Sequence, residues 1–595
     1  MIEDINLNEA QKNISVEAFD NLSLWLTKPE LSIFRAETLS LVESKNYAEL
    51  EDAFYKRIEI GTGGIRGPIG VGPNRINVRT IGEAAQGLSH FISDFGEEAK
   101  KGGVVVGYEA RKFSRTFAEL SCAVFAANGI HSYIFESLRA TPETSFAVRH
   151  LQATAGVQLT ASHNPRTDNG FKFYWSDGGQ VVSPLDLKFM ELVSLVQEVQ
   201  TVSYDQAVSD GLISVIGDDI DQSYFKEIKK LTLSPSRSAR IVYSPMHGAG
   251  STNVLPILRD EGFDVTVVPE QASPDENFPT AKGDLINPEY PEVMELPIAL
   301  AERTNVDLAI MSDPDADRIG VASRKNLDNS SFSFLTGNEV GVALTHFILS
   351  KLKEQEKLTR NCLVIETYVT TTLISDIAKS FEVKVVDDLL VGFKFIGEII
   401  EKLPEKNDFV FAAEESLGYL RGSFVRDKDA AIAGFTLAEL VSTLKDDGKT
   451  LIQYLDEIYK KHSYYKNILV MTEMKGRKGF ENRDKIMKEL RHNPPTNLGG
   501  FDIIKVVDRL PEEKRIPENY KCGATGDQLT FILSADEKTR VTARPSGTEP
   551  KMKYYVQHQE KVSIDLAETK QRVDDDAKKI ELSVKNLESK IISES

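Results

Sequence analysis

The sequence predicts an α/β protein of three successive α/β domains with mixed, mostly parallel sheets, plus a C-terminal α+β domain. Three observations carry that expectation. The chain has 595 residues, too many for one compact core, so three to five domains are expected. Through its middle, short β-rich apolar runs alternate with helical stretches, the pattern of strand–helix–strand units whose parallel sheets are covered by helices. After about residue 446 strands follow one another without regular helical crossovers, which marks a different layout.

Residues 1–55 place apolar side chains at helical spacing (Leu22, Trp25, Leu26, then Leu39 and Val42) and read as an N-terminal helical extension. In the first block, 56–205, GGVVVGYEAR is a buried strand ending in a loop, FAELSCAVFAANG a helix and HSYIFES the next strand. In the second, 206–325, ARIVYSPMHGAG, NVLPILRDEG and FDVTVVPE repeat that order, and VDLAIMSDPDADR follows. In the third, 326–445, NCLVIETYVT, TLISDIAKSFE and VKVVDDLL do so again. Residues 446–560 hold one helix and then the strands GFDIIKVVDRL, QLTFILSA and RVTARPS, and 561–595 form a charged amphipathic helical tail.

Composition narrows the function classes. Apolar residues make up 41% and charged residues 27%, as in an ordinary soluble protein, and the net charge of −19 argues against non-specific nucleic-acid binding. An acidic protein that handles anions must concentrate positive charge locally, so basic residues in glycine-containing loops become informative. Cys122, Cys362 and Cys522 lie far apart with no C-x-x-C pair, against a zinc site or a disulfide framework and in keeping with a reducing compartment. The polar, acidic start MIEDINLNEAQKN is unlike a targeting peptide, and no run of 18 apolar residues occurs. The expectation is a cytoplasmic protein acting on small molecules, without nucleic-acid or membrane partners, as a monomer or weak homodimer.

Four segments carry chemistry. In QLTASHNPRTDNGFKFY, Ser162 sits in a polar loop after an apolar run and is followed by His163, Asn164, Pro165, Gly170 and Lys172. A serine hydroxyl is a poor nucleophile unassisted; here a proline-fixed loop holds it while His163 and Lys172 offer groups to a phosphate. The same residue types also build an ordinary capped turn. At the end of the apolar strand VDLAIMS, Asp313, Asp315 and Asp317 occupy alternate positions. Three carboxylates so placed repel one another unless a cation lies among them, and oxygen-only ligation suits Mg²⁺. Ends of parallel strands are also where α/β proteins place ligands. Taken alone, this loop also resembles the nucleophile motif of aspartyl-phosphate phosphatases, the best alternative for the segment. FAAEESLGYL offers Glu414 and Ser416, suited to vicinal sugar hydroxyls. RPSGTEPK offers a guanidinium at Arg544, hydroxyls at Ser546 and Thr548, and a glycine, Gly547, that lets backbone N–H groups turn toward an anion.

Together, T-A-S-H-N-P-x-x-x-N-G-x-K, D-x-D-x-D-R, E-E-S-x-G-Y and R-x-S-G-T-E stand in the order found in the α-D-phosphohexomutase superfamily, the phosphoglucomutases and phosphomannomutases. The chain resembles that family over roughly residues 55–560, and most of all its phosphoglucomutase-2-like/phosphopentomutase group. The resemblance implies domains arranged around a central cleft. It implies that Ser162 is a phosphoserine carrier which, with Asp313, Asp315 and Asp317, ligates one Mg²⁺. Arg318 then approaches the phosphoryl group, with His163 beside it, and Arg66 of GTGGIRG is a phosphate contact. Lys172 is a candidate for proton transfer; so is His247 of MHGAG, which the residues alone equally allow as part of a helix-capping loop. Glu414 and Ser416 grip the sugar, Lys394 of GFKFIGE contributes to specificity, and Arg544, Ser546, Gly547, Thr548 and Lys553 anchor the distal phosphate. Lys553 stands where many relatives carry arginine, Glu109 where aspartate is frequent and Ala430 where glycine is common. The implied reaction interconverts hexose 1-phosphate and hexose 6-phosphate, with glucose foremost and glucose 1,6-bisphosphate as intermediate and activator. Mannose or pentose phosphates are alternative substrates within the family; an Asp313-centred phosphatase and a non-catalytic sugar-phosphate sensor are readings from other classes.

Overall fold

The computed structural model describes residues 7–59, 64–328, 330–474, 476–510, 526–546, 550–563 and 565–593. Cys522, Gly547 and Thr548 lie outside them. At the N-terminus, helices Asn8–Asn13, Val16–Thr27, Arg35–Glu43 and Tyr47–Phe54 begin the chain. Ser15 and Asn46 start two of them by accepting the N–H groups of Ala18 and Glu49, the standard satisfaction of a helix's first donors. Leu22, Trp25, Leu26, Val42 and Phe54 share a small core that reaches Val71. Arg75, buried beneath these helices, pairs with Glu49 at 2.7 Å and Asp52 at 2.8 Å, fastening the extension to the rest.

The first sheet contains β1 (Ile65–Pro68), β2 (Val104–Tyr108), β3 (Ser132–Phe135), β4 (Ala155–Leu159), β5 (Asp168–Trp175) and β6 (Ile213–Ile216), in the order β1-β5-β4-β2-β3-β6. β4, β2, β3 and β6 are parallel, while β5 returns antiparallel to β4. Every residue of β2 is buried, as expected of a strand covered on both faces. β6 carries this unit past the expected boundary at 205. Of its four residues only Ile213 is buried and Val215 is exposed, as befits a strand at the edge of the sheet.

The second sheet holds β7 (Arg240–Ser244), β8 (Asp264–Val267), β9 (Leu308–Ser312), β10 (Ile319–Arg324) and β11 (Phe332–Leu335), ordered β11-β10-β9-β7-β8. β11 lies beyond the expected boundary at 325. The third holds β12 (Leu363–Thr367), β13 (Lys384–Leu389), β14 (Phe409–Glu414) and β15 (Gly418–Leu420), ordered β13-β12-β14-β15. Helix Leu451–Lys461 buries Leu451, Leu455 and Ile458 in the core of this third unit, so the unit continues past 446. The last part is the antiparallel sheet β16-β22-β21-β20-β19, with the small pair β17 (Asn497–Leu498) and β18 (Phe501–Asp502). Its strands are β16 (Tyr464–Glu473), β19 (Lys505–Asp508), β20 (Leu529–Ile532), β21 (Arg540–Pro545) and β22 (Lys551–Glu560). Helix Leu566–Ser593 contributes Ile580, Val584 and Ile591 to its core.

One device recurs in all four units. In each α/β unit a parallel strand is followed by an antiparallel return strand, and the hairpin between them is a motif loop: 160–167 between β4 and β5, 313–318 between β9 and β10, 415–417 between β14 and β15. The fourth motif lies between β21 and β22. The first three loops each contain a non-glycine residue at positive φ: Ser162 at 55°, Ala316 at 51° and Leu417 at 64°. Such conformations cost free energy and persist only where the surroundings fix them.

The base of the first hairpin depends on Gly170. A Cβ there would lie 2.3 Å from the Ile65 carbonyl oxygen and 2.7 Å from that of Thr160. Gly170→Ala is therefore expected to destabilise the protein by about 2–3 kcal/mol through overpacking, read as a lower urea midpoint. An unchanged midpoint would show that β1 and β5 separate without cost.

Candidate active site

The hairpin folds place Ser162 against the aspartate loop although 151 positions separate Ser162 from Asp313. The Ser162 hydroxyl lies 3.3 Å from Asp313 Oδ2 and 3.3 Å from His163 Nδ1, and the residue is 1% exposed. The aspartate loop closes on itself: Asp313 Oδ1 accepts the N–H groups of Asp317 at 3.1 Å and Arg318 at 3.0 Å. Asp313, Asp315 and Asp317 are fully buried, and one oxygen of each lies within 4.8 Å of the others. Burial, then the neighbouring Asp317 and Asp315 charges, push the Asp313 carboxyl well above the usual range. Burial opposes ionisation of Asp317 too, but Lys172, Lys428 and Arg318 outweigh it and hold this carboxyl well below the usual range.

Two buried lysines from different units supply that compensation. Lys172, on β5, places Nζ 2.6 Å from Asp315 Oδ2 and 3.0 Å from Asp317 Oδ2. Lys428, ahead of helix Ala430–Asp446, is 2.9 Å from Asp317 Oδ2. Thus Asp317 joins all three α/β units. Asp315 Oδ1 and Asp317 Oδ1 remain buried without a hydrogen-bond partner among the described residues. A buried acceptor left unmade is costly. Two such oxygens beside a third carboxylate and a serine hydroxyl form an oxygen-only donor set that fits a hard divalent cation.

Cations surround the serine on the other side. Burial, followed by the fields of Arg318, Arg66 and Lys553, drives the His163 imidazole well below its ordinary range. Arg318 is paired with Glu289 of the segment before helix Glu295–Thr304. A cavity of about 460 Å³ opens here, lined by His163, Asn164, Glu289, Tyr290, Met471 and Lys553. A second, of about 140 Å³, is lined by Glu289, Thr336, Glu415, Ser416, Lys553 and Tyr555. Glu289 and Lys553 line both, so the cavities at the serine loop and at the E-E-S loop are neighbours against the C-terminal sheet.

In the E-E-S loop, Glu414 Oε1 accepts the N–H of Gly392 at 2.9 Å. Gly392 precedes helix Phe393–Lys402, which carries Lys394 in its first turn; Lys394 Nζ is 3.5 Å from Asp186 Oδ2. Burial raises the Glu414 carboxyl, and burial together with Glu414 and Glu289 raises Glu415 to about 7. Arg544 and Lys553 are register partners on β21 and β22. Burial, with Arg544 adjoining, lowers the Lys553 ammonium against the pull of Glu289 and Glu415. The N–H of Ser546 bonds the Lys551 carbonyl at 2.9 Å, and Arg483 donates to the Ser546 carbonyl at 2.8 Å.

His247 is placed differently. Its ring meets the Ser273 carbonyl at 3.2 Å and the Thr280 hydroxyl at 3.0 Å, so its hydrogen bonds stay within the second unit. Its loop still abuts the aspartates, because the Ala249 N–H binds the Pro314 carbonyl at 2.7 Å. Sequence reasoning assigned no role to Glu289 or Lys428. The D-K-D pattern was a usable sign for Lys428; Glu289 sits in a proline-rich segment with no distinguishing charge pattern.

Family comparisons follow this layout unit by unit. Phosphoglucomutase/phosphomannomutase α/β/α domain I matches residues 57–197, domain II residues 222–326 and domain III residues 336–462. The chain belongs to the phosphoglucomutase/phosphomannomutase family. Phosphoglucomutase of Staphylococcus saprophyticus is 32% identical over 544 residues, covering 90% of this chain and 95% of the relative. The Staphylococcus aureus phosphoglucomutase is 31% identical over 539 residues, covering 90% and 94%. Among solved structures, the open form of parafusin, a phosphoglucomutase from Paramecium, superposes with a TM-score of 0.64 at 18% identity, covering 90% of this chain and 96% of its own. A phosphoglucomutase/phosphomannomutase family protein of Burkholderia thailandensis gives 0.62 at 15% identity, covering 88% and 97%. These structures share the fold. The phosphoglucomutase/phosphomannomutase family member described here is therefore an intramolecular phosphotransferase of the isomerase class. No helix among its described residues is long and apolar enough to cross a membrane.

Proposed function

We propose that the enzyme interconverts hexose 1-phosphate and hexose 6-phosphate, with glucose the preferred sugar, by way of phosphoserine at Ser162 and a bound bisphosphate. One observation carries this reading: the Ser162 hydroxyl lies 3.3 Å from Asp313, in a cluster where the buried Asp315 Oδ1 and Asp317 Oδ1 have no hydrogen-bond partner among the described residues. Asp313, Asp315, Asp317 and a Ser162 oxygen would hold one Mg²⁺, which neutralises phosphoryl charge when bound. Arg66 and Arg318 stabilise the phosphoryl oxygens electrostatically, which with positioning is most of what phosphoryl transfer requires. Lys172 is better supported than His247 as the proton carrier, since it lies on the aspartates while His247 is engaged by Ser273 and Thr280.

A mutase returns a phosphate to a different carbon, so it must grip the sugar in two orientations with the non-reacting phosphate anchored each time. Glu414 and Ser416 serve the sugar hydroxyls, Lys394 adds specificity, and Arg544, Ser546, Gly547, Thr548 and Lys553 anchor the distal phosphate. Glu289 and Lys553, which line both neighbouring cavities, support a single substrate site spanning the two regions. Glucose is supported by the names of the relatives at 31–32% identity; glucose 1,6-bisphosphate is the corresponding intermediate and activator. The same reading makes the enzyme cytoplasmic, a monomer or weak homodimer, with small sugar phosphates as partners.

The test is a substrate panel of glucose, mannose, N-acetylglucosamine and ribose 1-phosphates, with and without glucose 1,6-bisphosphate. The highest kcat/KM is expected for glucose 1-phosphate; a higher value for ribose 1-phosphate would replace this reading with a pentose mutase. The trapped phosphoenzyme is expected to survive acid as phosphoserine, whereas a hydroxylamine-labile acyl phosphate would point to Asp313 as nucleophile. Arg544→Ala is expected to raise KM about 10–100-fold, the worth of charge-assisted hydrogen bonds, with a smaller change in kcat. An unaltered KM would remove Arg544 from the anchor.

A further inference from the structure

Beneath the serine loop lies a buried ion pair that the motifs above leave without a task. Glu109 and Arg111, just past β2, have side chains at 0% exposure, with Arg111 Nε 2.6 Å from Glu109 Oε1. A guanidinium has five N–H donors in a rigid fork, and the other four go to carbonyls of one loop. Arg111 Nη2 donates to Ser162 O and Asn164 O, both at 2.6 Å; Nη1 donates to Pro165 O at 2.6 Å and Asp168 O at 2.9 Å. Glu109 reaches the same loop from the other side. Its Oε1 accepts the Thr160 hydroxyl at 2.9 Å, and Thr160 Oγ1 accepts the Ser162 N–H at 2.7 Å. Both peptide groups of Ser162 are therefore held, one by Arg111 directly and one by Glu109 through Thr160. Between them is a serine at φ 55°, a conformation that L-residues avoid by about 1–2 kcal/mol.

The clamp has a lid from the second unit. The Arg111 guanidinium carbon lies 5.8 Å from the centre of the Phe278 ring. His247 organises that segment, accepting the Asp275 N–H on its carbonyl at 3.1 Å and meeting Thr280 with its ring at 3.0 Å.

We propose that Glu109 and Arg111 are positioning residues: their buried pair imposes the left-handed backbone at Ser162 and so aims its hydroxyl at the aspartate cluster, with Phe278 and His247 holding the pair from the second unit. The proposal rests on Ser162 being the phosphoryl carrier. General stabilisation is a poorer account of the pair, because removing two charges from water offsets most of what the pairing returns, and apolar residues of similar volume often do as well. A rigid fork matched to four carbonyls gives geometry that neither lysine nor an apolar residue supplies.

The test compares Arg111→Lys, Glu109→Gln and Glu109→Asp with the unmodified enzyme. Each is incubated with glucose 1,6-bisphosphate, phosphoserine at Ser162 is followed by intact mass, and kcat and KM for glucose 1-phosphate are measured. For Arg111→Lys and Glu109→Gln, serine phosphorylation and kcat are expected to fall about 10–100-fold, the scale of an ångström-level misplacement of a reacting group. KM should stay within about twofold, because the distal anchors are untouched, and Glu109→Asp, which keeps the charge, should recover most of the loss. Thr160→Val, which breaks only the relay to the Ser162 N–H, should lower phosphorylation in the same direction and serves if the arginine variant does not fold. Folded variants with lowered melting temperature but unmodified phosphorylation rate and kcat would overturn the proposal and leave the pair purely structural. Absence of phosphoserine from the unmodified enzyme would instead overturn the carrier assignment itself.

Discussion

Ser162→Ala is expected to eliminate the phosphoenzyme and lower kcat with glucose 1-phosphate by about 10⁴-fold or more, the scale on which loss of a covalent nucleophile is felt. Among the described residues, no neighbouring hydroxyl is placed to substitute. Thr160 is two positions away, but its hydroxyl is engaged by Glu109 at 2.9 Å and by the Ser162 N–H at 2.7 Å. Thr141 lies on the far side of the aspartates, bonded to Asp315 Oδ2 at 2.7 Å. The fold should survive, since alanine meets the same positive-φ cost as serine and the hydroxyl's contacts with Asp313 and His163 are long, both 3.3 Å. A change in stability within about 1 kcal/mol is therefore expected. Coupled assay and intact mass check the two halves. Full turnover by the alanine variant would show that the phosphoryl group travels by another route.

The sequence made the parallel strands legible because they are buried on both faces and read as apolar runs, as in VVVGY of β2 and LAIMS of β9. It made the motif loops legible because their residue types are unusual. It did not show that every loop is a hairpin. The return strands β10 and β15 are buried as fully as the strands they follow, so no alternation of polar and apolar residues betrays an antiparallel partner. Nor did spacing show which loops meet. Local periodicity records helix and strand faces, whereas the approach of Lys428 to Asp317 and of Ser162 to Asp313 is set by topology. His247 illustrates the reverse case. A histidine after a strand reads as chemistry, but its hydrogen bonds tie it to Ser273 and Thr280, and its consequence for the serine runs through the segment it organises. Glu109 was visible only as a departure from a family pattern, and Arg111 carried no sign at all; its grip on the serine loop is set by the fold.

Asp313→Asn is expected to do two opposite things. It should lower kcat about 10³-fold, as removal of a group that organises transition-state charge does, and raise the Mg²⁺ concentration needed for half-maximal activity more than tenfold. It should also raise the melting temperature of the metal-free protein. The reason is the charge arrangement. Three carboxylates lie buried together, Lys172 and Lys428 gather on Asp315 and Asp317, and neither lysine is placed on Asp313. The amide retains an oxygen for the N–H groups of Asp317 and Arg318, which Asp313 Oδ1 now accepts, while removing the carboxylate charge that its neighbours repel. Asp317→Asn should behave differently, because it strips the shared counter-ion from two buried lysines and leaves charge uncompensated, a loss of about 3–5 kcal/mol for a buried pair. Thermal melts in EDTA and in excess Mg²⁺, with Mg²⁺ titrations of activity, separate the two variants. If Asp313→Asn melted lower than the unmodified protein in EDTA, the loop would be held together by the Asp313 charge and not strained by it. If its Mg²⁺ requirement were unchanged, the ligand assignment would fail. A site that is less stable empty than its own inactive variant has been shaped for the charge it must later bind.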